Sequence, residues 1–194
     1  FVKLRAVGGD FDLAKRVEKN VREIIHARAK EIPPADLANE TRSVRDRLEK
    51  QKTGRRRTKD IDIKYGPGGL LDVYFALRYL QLRYDIPDDE SDRSTTTTID
   101  RITAFLQKSD RKGNGDPDII EALSTLRDGH AFLSTLGHNL RLTVGRTSRI
   151  PTANRVALEV TRTPMNLPST ESLLDLLNLH RLSIRSAYER ITDE

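Results

Sequence analysis

The stretch Asp62-Ile63-Lys64-Tyr65-Gly66-Pro67-Gly68-Gly69-Leu70-Leu71-Asp72-Val73 has the residue types and spacing best suited to chemistry. Glycines just ahead of a helix let the backbone approach a ligand closely. The first helical N–H groups lack intrahelical partners, so the two features together can hold an anion. Lys64 adds a mobile positive charge, and Lys64, Gly66, Gly68, Gly69 and Asp72 form a candidate nucleotide- or phosphate-binding set. The pattern is not a Walker A loop, because the lysine precedes the glycines and no Lys-Ser/Thr pair follows them. A structural reading stands open at the same residues: Gly68 and Gly69 permit a sharp turn into a buried helix, and Asp72 reaches back as a capping carboxylate.

Other chemistry is poorly supported. Asp60-Ile61-Asp62 would place two carboxylates on one side of a strand, where they could share a metal. Its context is wrong, because Gly54-Arg55-Arg56-Arg57-Thr58-Lys59 precedes it in place of a Gly-Ser turn. Neither catalytic nor metal-binding residues are therefore expected. Arg55, Arg56, Arg57 and Lys59 could engage phosphates or nucleic acid, or form a solvated loop. His26, His130, His138 and His180 make no metal-binding pair at helical spacing, and the last three fall near apolar stripes, as core or boundary histidines do. The absence of cysteine excludes disulfides, thiolate nucleophiles and cysteine-based zinc sites. Aromatic residues are only 5%, with no Trp, which argues against a base-stacking platform for single strands. The net charge of +5 permits an anionic partner without requiring one, since acids are interspersed with bases nearly everywhere.

Lys64-x-Gly66-x-Gly68-Gly69-x-x-Asp72, followed by an apolar helix and Tyr79-Leu80-Gln81-Leu82, resembles the K-x-G-x-G-G-[IL]-x-D-I-E-F … Y-L-Q-L segment of glutamine synthetase adenylyltransferases. The uridylyltransferases of the nitrogen-signalling protein PII share a looser version. Upstream, Arg5-Ala6-Val7-Gly8-Gly9-Asp10 is similar to R-P-V-A-G-D, and Val44-Arg45-Asp46-Arg47-Leu48 to M-R-x-R-[IM]. Downstream, Ala131-Phe132-Leu133 with Leu136-Gly137-His138-Asn139-Leu140 resembles Y-x-F-L-R-x-L-E-H-R-L, and Thr147-Ser148-Arg149-Ile150-Pro151 resembles Q-T-H-x-[IL]-P. The resemblance runs through essentially the whole chain in order. Tyr74 stands in place of a family Glu, Leu71 of an Arg, Gly137 of another Glu and Ser148 of a His.

The resemblance implies a non-catalytic helical domain that follows a nucleotidyltransferase core and supports its binding of nucleotide and protein substrate. In the parent enzymes the core holds ATP and magnesium and transfers AMP to a glutamine synthetase tyrosine, so neither cofactor is expected to bind this piece tightly. The implied partners are the adjacent core, glutamine synthetase and the PII signalling protein, in the cytoplasm, with no membrane and no nucleic acid. The alternative is a helical interaction scaffold that binds no nucleotide.

These residues need elements to hold them, and helical periodicity runs from end to end. With 36% hydrophobic and 32% charged residues, the balance suits amphipathic helices over a modest core. We expect one all-α domain over residues 1–194: a bundle of about six to seven helices, no substantial sheet, and one central buried helix near 69–84. Phe1 lacks an initiator Met and reads as the start of a piece cut from a longer chain. Leu13, Val17, Val21, Ile24 and Ile25 form a stripe after the N-cap candidate Asp10, and Pro33-Pro34 separates it from Leu37, Thr41, Val44 and Leu48. Leu70, Val73, Tyr74, Leu77 and Leu80 share one face, while Leu71, Phe75, Tyr79 and Leu82 cover much of the rest, the pattern of a buried helix. Ile99, Ile102, Phe105 and Leu106 predict a short helix closed by a linker over residues 109–115. Asp116-Pro117 opens a long helix through Leu140, and Ser169 or Thr170 opens the last one. Around Val156, Leu158 and Val160 helix and strand both remain open. No apolar run approaches the roughly 20 residues of a membrane span.

Overall fold

The computed structural model describes residue 4 and residues 7–53, 60–86, 94–110, 116–145 and 147–193. Arg5, Ala6, Arg55, Arg56, Arg57, Lys59 and most of the 109–115 linker lie outside the described residues. Seven helices follow one another among those described: α1 (Phe11–Glu31), α2 (Pro34–Thr53), α3 (Leu70–Arg83), α4 (Thr95–Asp110), α5 (Pro117–Thr143), α6 (Arg155–Arg162) and α7 (Thr170–Thr192). The only strands among them are β1 (Ile61–Asp62) and β2 (Arg149–Ile150), an antiparallel pair that sets Ile61 opposite Ile150 and Asp62 opposite Arg149. The expected all-α bundle is what the chain forms.

Helix starts follow their capping residues. Asp10 accepts from the amides of Asp12 and Leu13, and Asp116 accepts from Asp118 with Pro117 at the first helical position. The Ser169 hydroxyl accepts from the Ser172 amide. α3 is the centre of the bundle and packs against α1, α2, α4, α5 and α7. Val73, Ala76, Leu77 and Leu80 are fully enclosed there. α5 and α7 form the most extensive seam, and at its middle Gly129 lets Ile184 approach so closely that a Cβ would overlap it.

Several expectations need correction. Leu13, Val17 and Ile24 are exposed, because α1 touches the bundle mainly through α3 and buries only His26 and Ala29. Tyr74 and Phe105 are also exposed, and so is His138, which was expected at the core or its boundary. On α2 Leu37 is buried as its stripe predicts, but Val44 and Leu48 are only half-buried, and Ala38 and the charged Arg45 are the fully enclosed side chains. Residues 155–162 resolve as helix: Ala157, Leu158 and Thr161 turn inward at helical spacing, whereas Val156 and Val160 face out.

Candidate functional site

The turn from β1 into α3 is held from beneath by two buried carboxylates. Asp62 Oδ1 accepts from the Lys64 and Tyr65 amides at 3.0 and 2.9 Å and from the Ser148 hydroxyl at 3.2 Å. Its Oδ2 lies 3.3 Å from Arg149 Nε. An aspartate folding the next residues back onto itself is the Asx-turn device, here reinforced by a cross-strand ion pair. Every oxygen that Asp60-Ile61-Asp62 could offer a metal from Asp62 is thus engaged. Among the described residues no three His, Asp or Glu side chains gather as a metal site.

The second carboxylate, Asp72, is completely enclosed, as is its partner Arg45. Arg45 Nε donates to Asp72, and Arg45 Nη2 donates to the Gly66 carbonyl at 3.0 Å. Asp72 Oδ2 accepts from the Gly68 amide at 2.7 Å and has Arg185 Nη1 at 3.6 Å. Burial pushes the Asp72 carboxyl above its ordinary value, while Arg45, the Gly68 amide and Arg185 pull the other way. The Tyr188 phenol, buried beside them with Arg185 over its ring at 5.3 Å, is pushed up to about 12 by burial and then by the Asp72 charge. It stays neutral at physiological pH.

The glycines are required by this knot. Gly68 has φ +68°, and a Cβ on it would overlap the Arg181 carbonyl oxygen of α7. A Cβ on Gly66 would stand 2.5 Å from the Asp62 carbonyl oxygen. Arg181 Nε in turn donates to the Pro67 carbonyl at 3.1 Å, so α7 grips the turn from outside.

The geometry separates the five candidate residues. Lys64 is exposed, whereas Gly66, Gly68, Gly69 and Asp72 are buried. The helix-start amides already have acceptors: Gly68 gives to Asp72, Gly69 to Gly66 O, Leu70 to Ile63 O, Leu71 to Lys64 O and Asp72 to Gly69 O. The backbone here closes on itself, as the capping reading of Asp72 describes, and Lys64 is left as the group that faces outward. Sequence reasoning missed Arg45, Arg149, Arg181 and Arg185. A buried acid at position 72 in an apolar helix was the available signal, since such a charge demands a cation.

The architecture is thus a helical bundle around a glycine turn locked by a buried ion pair. The family described as GlnD PII-uridylyltransferase matches residues 42–191, from the helix that carries Arg45 to the last turn of α7. The chain belongs to this family. Over 141 residues, 69% of the chain, it is 30% identical to the bifunctional glutamine synthetase adenylyltransferase/adenylyl-removing enzyme of Corynebacterium diphtheriae. The match spans 12% of that enzyme. No solved structure matches significantly. No helix among the described residues is long and apolar enough to cross a membrane.

Proposed function

We propose that this chain is the helical domain beside a nucleotidyltransferase core in a cytoplasmic enzyme of the glutamine synthetase adenylyltransferase/deadenylylase type, and that it supports nucleotide and protein-substrate binding without catalytic residues of its own. The observation that carries the reading is the stripe Leu13, Val17 and Ile24, which is 52%, 47% and 61% exposed on a helix that leads into a bundle of this family. Apolar residues aligned on one exposed helix face suit contact with a neighbouring domain. ATP and magnesium belong to that core, and glutamine synthetase and the PII protein are the partners the whole enzyme would meet. Lys64 is placed to meet nucleotide phosphates, while Gly66, Gly68, Gly69 and Asp72 fix the turn that carries it.

The chain alone, given ATP, magnesium and glutamine synthetase, is expected to leave the synthetase unmodified; measurable AMP transfer would overturn the proposal. In a protein that carries the core ahead of this domain, Val17→Asp with Ile24→Asp should lower kcat/KM for AMP transfer by about tenfold or more, as charge placed in an apolar contact does. A second reading, a helical interaction scaffold that binds no nucleotide, is favoured by the internally engaged amides of residues 68–72. It predicts that Lys64→Ala leaves the KM for ATP unchanged in the core-containing protein.

A further inference from the structure

The basic excess of this chain is concentrated in one short segment. Residues 52–64 carry Lys52, Arg55, Arg56, Arg57, Lys59 and Lys64 against Asp60 and Asp62, a net +4 within a chain of net +5. The rest of the molecule is close to neutral, so a solvated mixed-charge surface does not describe this segment. Asp62 does little to offset the charge outside, because it is buried and its oxygens are committed to two turn amides, Ser148 and Arg149.

Two of the cations lie over the same aromatic ring. Lys52, in the last turn of α2, places its ammonium 5.8 Å from the centre of the Tyr65 ring; Lys64, in the turn after β1, places its own at 5.1 Å. Both side chains are exposed, and among the described residues neither makes an ion pair with a carboxylate. The supporting backbone is stapled from behind: Arg149, across the ribbon from Asp62, donates through Nη2 to the Lys52 carbonyl at 2.9 Å. Three separate segments thus fix two ammonium groups about one aromatic ring. A ring face steadies each ammonium without neutralising it, which leaves both charges available to an anion.

We propose that Lys52, Tyr65 and Lys64 form a recognition clip for a phosphate chain, whether of a nucleoside triphosphate or of a free polyphosphate. The two ammoniums contact the oxygens of adjacent phosphates, and the Tyr65 ring sets their spacing. The assignment rests on the reading that Lys64 faces phosphate and replaces the engaged helix-start amides with Lys52 as its second contact. A linear polyanion matches paired, unneutralised cations better than a single carboxylate does, because each phosphate engages one ammonium.

The test is calorimetric titration of the full chain with sodium tripolyphosphate, and separately with ATP, at low and at moderate salt. Lys52→Ala and Lys64→Ala should each weaken tripolyphosphate binding about fivefold or more, and a rise in salt should weaken it further, as expected of phosphate contacts. Lys15→Ala with Lys19→Ala, on the exposed face of α1, should leave it unchanged, and Lys64→Arg should retain most of it. Equal affinity for ATP and tripolyphosphate would show that the phosphate chain alone is read; tighter ATP binding with the same dependence on both lysines would assign the site to a nucleotide. Binding that survives both lysine substitutions but is lost on replacing Arg55, Arg56 and Arg57 with alanine would overturn the proposal. So would a single-stranded oligonucleotide that outcompetes tripolyphosphate independently of Lys52 and Lys64. None of these outcomes bears on whether the chain alone transfers AMP, so the clip and the domain assignment fail separately.

Discussion

Asp72 lies in the first turn of a helix that is otherwise nearly all apolar, and its ionic partner Arg45 comes from a different helix. Both are fully enclosed, so removing Arg45 takes from the buried Asp72 charge its closest counterion and leaves only the Arg185 guanidinium, 3.6 Å away. Arg45→Met should therefore destabilise the chain by about 3–5 kcal/mol in urea unfolding. Adding Asp72→Asn to that variant should recover part of the loss, since an asparagine can still accept from the Gly68 amide while carrying no charge. A double variant less stable than Arg45→Met would show that the pair does not act as a charge couple. Gly68→Ala acts through shape. Its left-handed backbone and the overlap of any Cβ with the Arg181 carbonyl should together cost about 2 kcal/mol or more, measured the same way. Position 72 could be read in the sequence as an acid in an apolar context, but its partner could not. Arg45 sits within an ordinary mixed-charge helix, and only the approach of α2 to α3 turns that one arginine inward.

Among the elements, α1 is tied on by a small polar cluster at the end of α3. His26 Nδ1 lies 3.0 Å from Asp85 Oδ1, and Lys30 Nζ lies 2.6 Å from Asp85 Oδ2. The Lys30 hydrogen bond, then the His26 hydrogen bond and the charges of both, outweigh the small cost of burial and hold the Asp85 carboxyl below its ordinary range. For a depressed carboxylate, the stabilisation is present above the unfolded value and is lost as pH falls through the folded one. Amide exchange in residues 20–31 should accordingly speed up as pH drops below about 4, after correction for the intrinsic rate, more than in α5 or α7. Protection that falls equally in all three helices would remove the assignment. At the α5–α7 seam, Gly129→Ala should cost about 1–3 kcal/mol, and Ile184→Val, which removes the methyl group nearest the new Cβ, should return part of it. The helices themselves were readable from capping residues and apolar spacing. Gly129 looked like an unremarkable interior glycine, because the need for it comes from a helix more than fifty residues away.

At the scale of the molecule, α1 stands apart from a bundle that is otherwise self-contained. It buries only His26 and Ala29, and the family match begins beyond it, at residue 42. A chain beginning at residue 34 should keep a cooperative unfolding transition and lose less than about 3 kcal/mol, given the little apolar area that α1 covers. Circular dichroism of that chain during urea unfolding would check this, and a molten or unfolded product would contradict it. The amino-acid sequence by itself determined the all-α class, the central helix near 69–84, most helix starts and the family, because capping, period and glycine spacing are local and survive without knowledge of neighbours. Only the tertiary structure decided which apolar stripes are covered, as Leu13 and Val17 against Leu173 and Leu177 show. It also decided that the amides after Gly68 are already engaged, and that Lys52 and Lys64 meet on one ring. Burial, ion pairing and the direction of a lysine depend on which distant segment packs alongside, and periodicity along one chain carries no record of that.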